Sequence, residues 1–337
     1  MNTNEFRKGH VPAGIINALV ESIRAHAKME VLLNEHPNSS PVLSDILLSL
    51  DIYYGLYDIQ PDICQIVQSL YVPDRSTVIA ETIHAISACV EYAQNKANIT
   101  DVLTAGDLLR IDQAIKTTNT KLLMADEFIS ESEQKIKEVW SVLHDLYGPE
   151  RQYPLLLEAV LAFYQLCTLQ ERCRPGLHTI RILLSTLYKC NLTFSGLQMQ
   201  WILLTDPRSN LSSMNTDDAI VHILHVFQRM WKCSVTLIHR LDSKRNEMEQ
   251  SIYDDSGKQM PKEIPRLLVE NLCIKNRDVS EKMQVSPKTA IKYLKLMERR
   301  ELLYSLKAGR EVFYFSSVLL DLLRLMTEEL GNGTKKP

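Results

Sequence analysis

SPKTAIKYLKLMERR, Ser286–Arg300, followed directly by ELLYSLKAGREVFYF, Glu301–Phe315, is the stretch that decides how this chain is read. Ser286-Pro287 is a helix start. It supplies a hydroxyl to accept from an early amide, then a residue whose fixed φ suits the first helical position, where a missing N–H costs nothing. The residues after it repeat at helical spacing. Ala290, Ile291, Leu294 and Met297 are expected to be buried, and Lys288, Thr289, Lys292, Tyr293 and Lys295 to be exposed. The helical period then gives way to two short runs, Leu302–Leu306 and Glu311–Phe315, that read as strands. Lys307-Ala308-Gly309-Arg310 joins them, with Gly309 supplying the turn.

Upstream, Ile264–Cys273 reads as a first helix. Asp278 is placed to cap a second over VSEKMQ, in which Val279 and Met283 stand one turn apart. A helix, then helix, turn and helix, then a hairpin is an order that resembles the winged helix–turn–helix family. The resemblance implies duplex DNA as partner. It places Lys288, Thr289, Lys292, Tyr293 and Lys295 on the groove-facing side, and Lys307 and Arg310 of the hairpin near the backbone. The third helix has no exposed Arg or Asn near its start, so no base-specific contact is assigned. Winged helices also dock proteins, and a protein partner stays open as an alternative. From Pro261 to Arg324 there are 13 Lys/Arg and 8 Asp/Glu, a net of +5; the whole chain is −3, which leaves −8 for the remainder. A basic module on an acidic body points to an anionic partner for the module alone.

The rest of the composition is ordinary for a globular chain of 337 residues, with 45% hydrophobic and 23% charged residues. Leu, Ile and Ala carry the apolar content and Gly numbers only 11, which favours an all-α fold over a sandwich or barrel. No apolar run approaches the ~20 residues of a spanning helix, and MNTNEFRKGH holds no apolar signal core, so a cytoplasmic protein without membrane contact is expected. The seven cysteines are an odd number, contain no CxxC pair and match no zinc spacing, so neither metal nor disulfide is expected.

Helical periodicity runs through the body. Residues 11–35 carry Ile15, Ile16, Leu19, Val20 and Ile23 on one face, and HPNSS at 36–40 breaks the pattern. Further helices are expected at 41–56, 63–71, 77–94, 104–115, 130–147 and 217–249. The polar SIYDDSGKQM at 251–260 reads as a linker, and GNGTKKP at 331–337 as a disordered tail. The expected organisation is a helical N-terminal region (1–99), a core (100–250), the linker, and the C-terminal module (261–330).

Within the core, LLLEAVLAFYQLCTLQ (155–170) and RILLSTLYKC (181–190) flank ERCRPGLHTI (171–180), two apolar helices around a basic loop. Leu156, Leu157, Ala159, Ala162 and Tyr164-Gln165 before the loop, and Ile182-Leu183-Leu184 and Leu187 after it, resemble the core helices of the Fic (filamentation induced by cAMP) family. That family keeps H-P-F-x-[DE]-G-N-G-R-x-x-R in the loop, for transfer of AMP from magnesium-bound ATP to a protein hydroxyl. Its His acts as base, its acidic residue holds the metal, and its glycines cradle phosphates. Aligned without gaps, the His position falls on Gln170, the acidic position on Arg174, and the Gly-Asn-Gly on Pro175, Gly176 and Leu177. The first Arg falls on His178, and only the last, Arg181, is kept. Gln170 has no titratable nitrogen, Arg174 repels a metal ion, and Pro175 removes a donor from the phosphate nest. The resemblance therefore implies a Fic-like scaffold with no catalytic residue, no ATP or magnesium, and at most an anion held by Arg172, Arg174 and Arg181. A DNA-binding regulator or scaffold, forming a homodimer, is the leading expectation. A divergent nucleotidyl transferase and a protein-docking module are the alternatives.

Overall fold

A computed structural model of the chain describes residues 11–36, 39–55, 62–73, 76–100, 105–124, 214–251, 261 and 263–333, with five positions between 156 and 164. The described residues are mostly helical, with a small three-stranded antiparallel sheet near the C-terminal end. The helices are α1 (Ala13–Glu35), α2 (Ser39–Gly55), α3 (Ile63–Tyr71), α4 (Val78–Thr100), α5 (Ala105–Thr117), α6 (Thr216–Ser251), α7 (Glu263–Glu270), α8 (Asn276–Met283), α9 (Pro287–Arg299) and α10 (Ser317–Gly333). The strands are β1 (Cys273–Lys275), β2 (Leu303–Ala308) and β3 (Glu311–Ser316). None of the described helices is long and apolar enough to cross a membrane.

Packing sorts the chain into two compact units. Met1–Val31 with Glu81–Cys233 form one, and Leu32–Ala80 with Ser234–Pro337 form the other. α2 and α3 pack against α7 and α10, because the apolar stripe of α3 (Ile63, Cys64, Ile66, Val67) is buried there.

In the first unit, α1 turns Ile15, Ala18, Leu19 and Met29 inward, and the start of α6 contributes Ile220, Ile223, Leu224, Phe227 and Trp231. The Ser22 hydroxyl donates to the Leu224 carbonyl at 2.8 Å. One expectation is corrected: Ile16, Val20 and Ile23 do not share the buried face with Ile15 and Leu19 but stand exposed beside it. Both rows are apolar, so periodicity alone does not say which one the core takes. His26 is buried edge-on to Trp231, with ring centroids 4.9 Å apart.

The second unit holds the sheet, ordered β1-β3-β2. β3 pairs with β1 (Cys273↔Phe315, Lys275↔Phe313) and with β2 (Leu303↔Ser316, Tyr304↔Phe315, Ala308↔Glu311). Gly309-Arg310 closes the hairpin, and Gly309 has φ 61, the conformation that favours glycine in the first central position of a type II′ turn. Tyr304 stacks on Phe315 at 5.2 Å, and Tyr71 of α3 meets the same ring edge-on at 6.4 Å. The Tyr71 hydroxyl donates to Asp45 of α2 at 2.6 Å, and Gln68 donates to the Tyr304 hydroxyl at 3.3 Å.

Three further expectations are corrected in this unit. The first helix of the module stops at Glu270, and residues 273–275 form β1, too short for a periodic signal. Asp278 lies inside α8 rather than at its cap, and its carboxylate accepts from the Lys275 amide at 2.7 Å. The module ends on a full helix, α10, which takes in Gly331–Gly333 of the expected tail. Buried Ser316 starts that helix by accepting from the Leu319 amide while donating to the Leu268 carbonyl at 2.7 Å. The expected helix at 130–147 and residues 252–260 of the expected linker lie outside the described residues.

Burial of His26 holds its imidazole well below the ordinary 6.5, at about 3. Below pH 6.5 the unfolded chain therefore takes up a proton that the folded chain refuses, so stability present at neutral pH is lost as pH falls toward 3. This amounts to about 1–2 kcal/mol between pH 7.5 and 5. In urea unfolding at several pH values, His26→Gln is expected to show a shallower acid-side loss than wild type.

Candidate nucleic-acid interface

The site is built on α9, whose start is fixed locally. Ser286 Oγ accepts from the Thr289 amide at 3.2 Å, and Pro287 occupies the first helical turn. The preceding turn is set by Gln284 at φ 51 and by Ser280, whose hydroxyl donates to the Val285 carbonyl at 2.6 Å. At the far end Glu301 adopts φ 59. Leu302 N–H donates to Met297 C=O and Glu301 N–H to Glu298 C=O, each at 3.0 Å, a Schellman closure that normally recruits glycine. Between these ends the helix has only one rotation that buries Ala290, Leu294, Leu296 and Met297, and all four are buried.

That rotation turns Lys288, Lys292 and Lys295 outward. Steps of three and four residues put them on one strip about 10 Å long. Lys307 and Arg310 at the hairpin tip are exposed as well. None of these five cations makes an ion pair with a described residue. Lys275 differs: it pairs with Glu311 at 2.8 Å and lies 4.4 Å from the Phe313 ring centroid. Arg277 lies 3.8 Å from Glu281, an exposed contact of small energetic weight.

Thr289 and Tyr293 are only half exposed, and the Thr289 hydroxyl lies 2.9 Å from that of Ser286. Thr289 is thus part of the cap, which reduces what it has left for a ligand. Ile291, expected in the core, is exposed at the edge of the lysine strip; Leu296, unremarked in the sequence, takes a core place instead. The signal was available, because Ile291 sits one residue past Ala290 and one turn from both Lys288 and Lys295.

Gln170, Arg172, Arg174, Gly176, His178 and Arg181 lie outside the described residues. Among the described residues no group of three or more His, Cys, Asp or Glu is arranged to hold a metal ion. Cys64, Cys89, Cys233 and Cys273 form no disulfide. Burial pushes the Cys89 and Cys273 thiols up to about 12, which suits inert core residues rather than nucleophiles. No protein-family model matches the chain, and no curated protein matches it significantly.

Relief of the left-handed strain at the end of α9 is directly measurable. Glu301→Gly is expected to raise stability by about 0.5–1 kcal/mol, the balance of αL strain against glycine's extra entropy. Ser286→Ala is expected to lower it by about 1 kcal/mol through loss of the cap. Thermal or urea unfolding of the two variants checks both signs.

Proposed function

We propose that residues 261–330 are a winged helix–turn–helix module, that α9 is its recognition helix, and that the protein is a DNA-binding regulator or scaffold. The observation carrying this reading is the set of five cations on the outer strip of α9 and at the hairpin tip, none of them paired with a described residue. α9 presents Lys288, Lys292 and Lys295 along one strip, and the hairpin adds Lys307 and Arg310. Ammonium and guanidinium groups in that arrangement serve phosphate contacts on a duplex. The net of +5 over residues 261–324 against −8 elsewhere adds to the same reading.

The body is read as a scaffold without a catalytic role, on the sequence of the 170–181 loop. Gln170 offers no base and Arg174 no metal ligand at the positions where the Fic pattern needs them.

A homodimer belongs to the proposal. Helix–turn–helix proteins commonly present two modules to two half-sites. The second copy is placed on α1, which carries an exposed apolar row of Ile16, Val20, Ile23 and Val31 at spacings that one helix face repeats. Sedimentation velocity is expected to give a dimer, with Val20→Lys/Ile23→Lys monomeric and equally helical.

Titration of duplex DNA at several salt concentrations tests the central claim. If all five cations meet phosphates, the slope of log K against log [salt] is about −4 to −5 per module. Lys288→Ala and Lys292→Ala should each reduce the slope by about one and weaken binding evenly across sequences. Salt-independent affinity, or full affinity in the double variant, contradicts the reading.

A further inference from the structure

The basic strip of α9 has an apolar edge. Ile291 is 38% exposed, with Lys288 one turn before it, Lys295 one turn after it, and Lys292 adjacent. It flanks the core row without belonging to it: Ala290, Leu294 and Met297 are fully buried, while Ile291, beside them on the helix, is turned to the lysine side.

What covers an exposed isoleucine bordered on one side by cations is constrained by chemistry. An apolar protein surface would bury the isoleucine but would strip water from three ammonium groups without offering an anion, which is unfavourable. A DNA duplex meets both needs, with phosphates for the lysines and, in the major groove, the C5-methyl group of thymine for an aliphatic side chain. Apart from lysine, which also reaches guanine O6 and N7, the common base-edge readers are missing from this part of the helix. Positions 287–294 contain no Arg, Asn, Gln, Asp or Glu, and the hydroxyl of Thr289 lies against Ser286.

We infer that Ile291 contacts a thymine C5-methyl group in the major groove, and that this contact gives the protein a thymine preference at that position of its site. The inference rests on the duplex-binding reading above. It extends that reading from backbone affinity, which carries no sequence information, to a single residue that does.

The experiment uses the full chain. Binding sites are first selected from a random duplex pool, and each thymine of the selected site is then replaced singly by uracil, which differs only in lacking the methyl group. Wild-type protein is expected to lose about four-fold in affinity at one thymine per half-site, the effect of removing one buried methyl. Ile291→Ala should bind the thymine duplex about four-fold more weakly than wild type and should not distinguish thymine from uracil there. Lys288→Ala should weaken both duplexes equally and keep the distinction. The inference is overturned if the wild type selects a site and no uracil replacement changes its affinity. It is equally overturned if Ile291→Ala keeps the wild-type sensitivity. A chain that binds no duplex even at low salt defeats the underlying reading as well, and the selection step reveals that failure separately.

Discussion

The DNA-binding reading of this protein depends on the burial of Ala290, Leu294 and Met297 beneath α9. Three fully buried side chains at helical spacing allow that helix one rotation. The same rotation decides that Lys288, Ile291, Lys292 and Lys295 point away from the unit. The strip is thus a product of packing as much as of composition. A turn of the helix by one residue would put lysines in the core, where an unpaired ammonium group is strongly disfavoured. The caps at either end, Ser286 and the Glu301 closure, fix where the strip begins and stops.

The hairpin is held from the other side by helices distant in sequence. Phe315 lies between the stacked ring of Tyr304 and the edge of Tyr71, and Tyr71 is in turn anchored on Asp45. Burial raises the Asp45 carboxyl above the ordinary carboxylate range, partly offset by the hydrogen bond from Tyr71. Burial, with the neighbouring Asp45 charge, keeps the Tyr71 phenol protonated at any ordinary pH. Arg324 of α10 donates to the Cys64 sulfur of α3 at 2.9 Å. Through α2 and α3 the N-terminal third of the chain therefore contributes to the unit that carries the basic strip.

Much of this was legible in the sequence for identifiable reasons. Ser286-Pro287 and the regular apolar spacing located α9, and Gly309 between two aromatic-rich runs located the hairpin. What escaped had no local signal. β1 is three residues long and forms only because β3 offers it a partner. The packing of α2 and α3 with the C-terminal elements is a long-range fact that periodicity cannot encode. Ile291 and the α1 residues Ile16, Val20 and Ile23 were misplaced because each adjoins the buried row. Hydrophobicity marks a side chain as able to be buried; the geometry of the neighbours decides whether it is.

Lysine footprinting of the full chain tests the account most directly. Amine-reactive modification with and without duplex DNA, read residue by residue by mass spectrometry, reports which ammonium groups the duplex covers. The account predicts protection of Lys288, Lys292, Lys295 and Lys307 together, with exposed Lys28 and Lys121 of the other unit modified equally in both states. Protection of Lys28 or Lys121 with the α9 lysines left reactive would contradict it.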